Sequence, residues 1–123
     1  MRRAISRAAL LGALALAGCG QSKSLYVWGP YQDSVWKATY GEGVTDVGAD
    51  IDALNATVER AYAAGKQPPP GMHAHIGMLY SQRGELDTAL AAFEAEKELY
   101  PEAEHFMDFL IGRIRGETPE GGE

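Results

Sequence analysis

The chain has 123 residues, 46% of them hydrophobic, with 11 basic against 17 acidic side chains and a formal net charge of −6. That length suits one small domain and leaves no room for two. The acidic balance argues against nucleic acid as a partner, and a single cysteine rules out an internal disulfide.

Arg2, Arg3 and Arg7 precede an apolar run from Ala8 to Ala17. At about ten residues this run has the length of a signal peptide, well short of the roughly 20 needed to cross a bilayer. It ends in Leu16-Ala17-Gly18-Cys19, which resembles the bacterial lipobox. The resemblance implies cleavage after residue 18 and acylation of Cys19, with chains such as palmitate on its thiol and on the new amino terminus. An ordinary signal peptide followed by a chance cysteine is the other reading. One acyl chain binds a membrane marginally, at about 0.8 kcal/mol per buried methylene, so the several chains of this class would anchor firmly. Gly20 stands where an Asp resembles an inner-membrane retention mark, which implies the outer membrane and its periplasmic face. Without residues 1–18 the chain keeps 105 residues, 8 basic and all 17 acidic, for a balance of −9.

Residues 19–24 read as a lipidated tether. Leu25-Tyr26-Val27-Trp28 alternates aromatic and aliphatic groups before Gly29-Pro30, the pattern of a short strand or an extended arm. Tyr31 to Tyr40 reads as a helix presenting Val35, Trp36 and Tyr40, stopped by Gly41-Glu42-Gly43. From Gly48 to Ala64 the positions Ile51, Leu54, Val58, Ala61 and Tyr62 recur at the spacing of one helix face, and Gly65 suits its C′ position. Pro68-Pro69-Pro70-Gly71 is a stiff connector without amide donors at its prolines. Three helices are expected beyond it. Met72, Ile76, Leu79, Tyr80 and Arg83 line the first; Leu86, Ala89, Leu90 and Phe93 the second; Phe106, Phe109, Leu110 and Ile114 the third. Residues 117–123 have no aliphatic group to bury and read as a disordered tail. None of these stripes is wide enough for a helix to stand alone, so the helices must pack on one another.

The segment 70–103 resembles a tetratricopeptide repeat, in which small and aromatic residues at fixed points let two antiparallel helices nest. Gly77 stands at the helix crossing, Tyr80 three residues on, Gly84 in the turn, Ala89 and Phe93 as the small-then-large pair, and Pro101 at the end. His73, Ile76 and Glu96 depart from the repeat's usual Trp, Leu and Ala. No clean second copy appears, so 48–64 reads as half of a degenerate upstream pair and 104–115 as a capping helix. The expected fold is therefore all-α, a tetratricopeptide-like antiparallel helix stack over residues 25–116 with a short extended aromatic arm at its start.

The chain also looks like a small family of Gram-negative lipoproteins that carries a domain-of-unknown-function label. The likeness rests on Tyr26-Val-Trp28-Gly29-Pro-Tyr31, on Pro69-Pro70-Gly71-Met-His73-Ala74-His-Ile-Gly77, and on Phe93-Glu-Ala-Glu-Lys97, Tyr100-Pro101-Glu and Phe106-Met107-Asp108-Phe109-Leu110. Genes of that family often sit beside a lipoprotein similar to the curli-secretion channel, which implies a shared envelope assembly and brings no catalytic residue.

His73 and His75 lie two apart and would point to opposite sides of a helix, so they make no joint metal site; His73 is expected at the crossing and His75 toward solvent. No Ser-centred elbow, phosphate-binding glycine loop or free nucleophilic cysteine is present, and Glu94, Glu96 and Glu98 read as a solvated face. These features predict neither catalysis nor a cofactor. Tyr26, Trp28, Tyr31 and Trp36, with His75, are the candidate partner-binding residues, because Trp and Tyr are favoured at interface hot spots. The expected role is a non-catalytic accessory subunit of an outer-membrane lipoprotein complex, with a channel-like lipoprotein as partner. The alternative is a periplasmic binder of a small ligand or cell-wall fragment in the aromatic region. An exposed shallow patch would fit the first, an enclosed pocket the second.

Overall fold

The computed structural model describes residues 23–41 and 46–117. The signal segment, Cys19, the first part of the tether and the tail beyond residue 117 lie outside the described residues. Among the described residues five α-helices follow one another: α1 Tyr31–Tyr40, α2 Val47–Ala63, α3 Met72–Gln82, α4 Leu86–Leu99 and α5 Glu104–Arg115. A 3₁₀ turn, Pro101–Ala103, links α4 to α5. The expected all-helical, antiparallel arrangement is what the chain adopts. Among the described residues no helix is long and apolar enough to cross a membrane.

The ends of the helices follow from local chemistry. Asp46 caps α2 by accepting the Ala49 N–H at 2.9 Å. At its other end the Lys66 N–H returns to the Ala61 carbonyl and the Gly65 N–H to that of Tyr62, the paired bonds of a Schellman stop. The same pair closes α3, with Gly84 N–H on Ser81 and Glu85 N–H on Tyr80. Gly84 thus occupies the turn expected of it.

Two buried clusters hold the stack. Ile51 and Leu54 of α2 meet Met72, Ile76 and Leu79 of α3, and Ala74 of α3 joins Ala89 and Phe93 of α4 with Met107 and Ile111 of α5. Each middle helix is therefore shared between its neighbours in sequence. The α3–α4 pair makes the most extensive contact, and Gly77 permits it. A Cβ there would lie 2.6 Å from Cε1 of Phe93 and 3.1 Å from the Ala89 carbonyl oxygen. Phe93 and Ala89 are buried, while Tyr80 is half-buried and its hydroxyl accepts from Asn55 Nδ2 at 3.2 Å, tying α3 to α2.

Several expected faces turn out differently. On α5 the buried residues are Met107, Ile111 and Gly112, whereas Phe106 and Phe109 are exposed and stack with ring centroids 6.5 Å apart. Met107-Leu110-Ile111-Ile114 is as regular a stripe as the one containing the phenylalanines, and the fit against Phe93 decides between them. Tyr62 and Leu86 also face solvent.

Glu96 is the largest departure from the sequence reading. Placed on a solvated face by its neighbours, it is instead 1% exposed. Its carboxylate accepts the Gly71 N–H at 2.6 Å and the Ala74 N–H at 3.3 Å, so a residue of α4 caps the start of α3. The proline and glycine side chains before that start offer no acceptor for its free N–H groups, and Gly71, at φ +88°, turns the chain into the helix. Nearby, the buried Tyr100 hydroxyl donates to the Pro68 carbonyl at 2.6 Å. Burial, then the adjoining Tyr26, push the Tyr100 pKa up to about 12.

Candidate functional site

The N-terminal arm runs extended over the stack. Tyr26 pairs with Gln67 in an isolated parallel bridge, and the Val27 N–H reaches the Gln67 carbonyl at 3.4 Å. From there the aromatic side chains form a ladder. Tyr26 meets Trp28 edge-on at 6.1 Å, Trp28 stacks on Tyr31 at 6.2 Å, and Tyr31 meets His75 edge-on at 6.0 Å. Tyr31 is half-buried, and its hydroxyl lies 3.4 Å from the Pro70 carbonyl, to which it donates. Burial, reinforced by the negative Glu96, raises its pKa.

His75 does not face solvent. It is 8% exposed, and the small Ser34 side chain is what lets α1 approach it. Ser34 Oγ lies 2.6 Å from Asp50 Oδ2 of α2 and 2.8 Å from His75 Nε2 of α3. A carboxylate only accepts, so serine gives its one proton to Asp50 and receives a hydrogen bond from His75 Nε2–H. The order is thus acid–serine–histidine. In a nucleophilic triad the histidine stands in the middle and takes the serine proton. Here that proton is engaged in the hydrogen bond to Asp50, and Ser34 is 2% exposed. The trio is a polar joint binding three helices, and Ser34 is the one buried residue of α1. Burial lowers the His75 pKa, with Asp50 opposing. His73 is half-buried, its Nε2 3.4 Å from the Tyr62 hydroxyl, and burial lowers its pKa against the pull of Glu96. Among the described residues no group of three His, Cys, Asp or Glu side chains is placed to hold a metal ion.

The outer side of α1 is different in character. Trp36 and Tyr40, one helical turn apart, hold their rings 4.6 Å from each other and are 64% and 72% exposed. With Trp28, Tyr31, Gln32, Val35 and Pro70 they line an open, shallow groove of about 370 Å³, and among the described residues no charged side chain lines it. Of the residues singled out from the sequence, Trp28, Tyr31 and Trp36 meet there. Tyr26, whose ring meets Trp28, lines a separate depression with Lys23 and Lys66, and His75, against the Tyr31 ring, is withdrawn from solvent. Tyr40 is visible in the sequence as the i+4 neighbour of Trp36 on a helix. Pro70 is not, since it comes from a connector 34 residues away from Trp36.

The signature of the family described as Domain of unknown function (DUF4810) matches residues 25–110, and the chain belongs to that family. The match begins with the aromatic arm and ends within α5, so it takes in the groove and the buried joint together. No curated protein and no solved structure matches the chain.

Proposed function

We propose that the chain is a lipid-anchored, non-catalytic adaptor at the periplasmic face of the outer membrane, docking a channel-like lipoprotein through the aromatic groove of α1. The exposed Trp36–Tyr40 pair carries this reading. Two large aromatic faces held side by side in water are costly to a monomer and characteristic of interface hot spots. The groove is open rather than enclosed, which favours a macromolecular partner over a small ligand or cell-wall fragment.

Three further features support the reading. The lipobox-like Leu16 to Cys19 supplies the anchor. The intimate Gly77–Phe93 contact supports a tetratricopeptide-like unit in α3–α4, a kind of unit that commonly serves as a docking scaffold. The resemblance to lipoproteins encoded beside a channel-like neighbour supplies the class of partner.

The test is crosslinked co-purification from native outer membranes, comparing wild type, Cys19→Ser and the double variant Trp36→Ala, Tyr40→Ala. A channel-like lipoprotein should be recovered with wild type and lost with both variants. Recovery of abundant envelope proteins alone would sink the adaptor reading and leave the ligand-binding one.

A further inference from the structure

A second groove, of about 460 Å³, is lined by Lys23, Ser24, Leu25, Tyr26, Lys66 and their neighbours Gly65 and Gln67. Among the described residues no carboxylate lines it. Leu25, at its edge, is 77% exposed, the highest value among the large apolar residues of the described chain. Lys66 stands just past the end of α2. The acidic residues Asp46, Asp50 and Asp52 stand at the opposite end of that helix, which is about 25 Å long. The helix thus separates a basic end, near the arm, from an acidic one.

Position along the chain gives this groove its partner. Lys23 is four residues from Cys19, so an extended chain places their Cα atoms at most about 14 Å apart. Once Cys19 is acylated, the groove cannot leave the immediate neighbourhood of the lipid headgroups. Two ammonium groups flanking an exposed leucine and a tyrosine are the side-chain set that suits such an interface. The cations meet lipid phosphates, the leucine enters the acyl boundary, and tyrosine favours the headgroup level. We propose that the Lys23–Leu25–Lys66 groove is a membrane-seating face, which rests on anionic phospholipid headgroups and turns the acidic end of α2 toward the periplasm. This rests on the lipid-anchor reading of Cys19.

The test uses the full acylated chain in vesicles of phosphatidylethanolamine with phosphatidylglycerol, and in vesicles of phosphatidylcholine alone. Mass spectrometry of the N-terminal peptide comes first; an unacylated Cys19 would overturn both the anchor and the seating face. With Cys19 blocked by its acyl chain, Leu25→Cys offers one free thiol for a fluorescent probe, and Leu86→Cys, on exposed α4 surface, is the control. In anionic vesicles the probe at 25 should be quenched several-fold less by aqueous acrylamide than the probe at 86, and more by a lipid-borne quencher. Adding Lys23→Glu and Lys66→Glu should abolish that difference while acylation and helical circular dichroism persist. Equal quenching at both positions overturns the proposal. So does shielding that survives the double charge reversal, or that appears only when a partner protein is added.

Discussion

Glu96 of α4 caps α3 by accepting the Gly71 N–H at 2.6 Å, joining residues 25 positions apart. A carboxylate at a helix N-terminus also meets the positive end of the helix dipole, so charge and hydrogen bonding act together. The fully buried position keeps water from replacing it. Glu96→Ala should therefore cost about 2–3 kcal/mol in urea unfolding, the range for losing charge-assisted bonds and leaving buried donors unpaired. Glu96→Gln, which keeps one acceptor oxygen, should cost less. A loss within error for the alanine variant would show that the Gly71 and Ala74 amides find other partners.

Gly77→Ala tests the α3–α4 contact from the opposite direction. On helix propensity alone alanine gains up to about 1 kcal/mol over glycine. The added methyl would fall 2.6 Å from the Phe93 ring, and 3.1 Å from a backbone oxygen that cannot rotate away. Overpacking of this kind costs about 1–3 kcal/mol, so the net change should be destabilising. Phe93→Leu in the same chain should restore part of the loss, giving a favourable coupling in a double-mutant cycle. A more stable Gly77→Ala protein would mean the helices separate freely at their crossing.

That crossing is legible in the sequence because its partners are close in the chain and stand where the resemblance to a tetratricopeptide repeat puts them. Gly77, Ala89 and Phe93 are marked by that resemblance, and the helix stops at Gly65 and Gly84 by local backbone geometry. Glu96 and Ser34 are illegible for the converse reason. Their partners lie 25 and 41 residues away, and nothing near either residue marks it as buried. Phe106 and Phe109 mislead differently. A helix carrying apolar residues at 106, 107, 109, 110, 111 and 114 offers two adjacent stripes, and periodicity alone cannot choose between them. The aromatic segment reads as one cluster along the chain, yet it divides in space: Tyr26, Trp28 and Tyr31 run as a ladder over the connector, and Trp36 pairs outward with Tyr40.

The buried joint predicts a pH dependence. His75 has its pKa lowered by burial, with Asp50 as the opposing charge from α2, while the Tyr31 ring and the Ser34 hydroxyl face it from α1. A histidine depressed in the folded state is neutral in both states above its unfolded value of about 6.5, where its effect on stability is nil. Below that value the unfolded chain takes up the proton first, so stability falls as pH drops toward the folded value. His73 is shifted in the same direction and adds to the slope. The urea midpoint should thus be lower at about pH 5.5 than at about pH 7.5. His75→Gln, which retains an N–H for Ser34, should flatten the dependence in part. A midpoint that rises on acidification would mean that attraction between charged His75 and Asp50 outweighs desolvation.

Ser34→Ala separates the joint from its charges. Removing the hydroxyl strands the His75 donor and one Asp50 acceptor at a site where α1 has no other buried side chain. The expected cost is about 1–3 kcal/mol. Because α1 is held through this one position and the Tyr31 ring, hydrogen exchange should accelerate in α1 more than in α3 or α4. Uniform acceleration across the helices would show that α1 unfolds only with the rest of the domain.

The groove can be disarmed without disturbing that joint, and this makes the docking proposal open to a clean test. Trp36 and Tyr40 touch each other and stand largely in water, so replacing both by alanine forfeits chiefly their mutual contact. Such a pair is worth about 0.5–1.5 kcal/mol, and the double variant should stay folded with unchanged helical circular dichroism. Trp28→Ala is a less discriminating probe. Its ring is 39% exposed and stacks on Tyr31, whose hydroxyl bonds the connector, so some loss of stability is expected along with any loss of capture. If the groove is the docking surface, partner recovery should fall sharply for the Trp36, Tyr40 variant at full stability, and Gln32→Ala, in the groove lining, should have a smaller effect. Undiminished recovery with both aromatic rings gone would move the interface elsewhere, and the exposed Phe106–Phe109 stack with Arg113 over the Phe109 ring would be the next surface to alter.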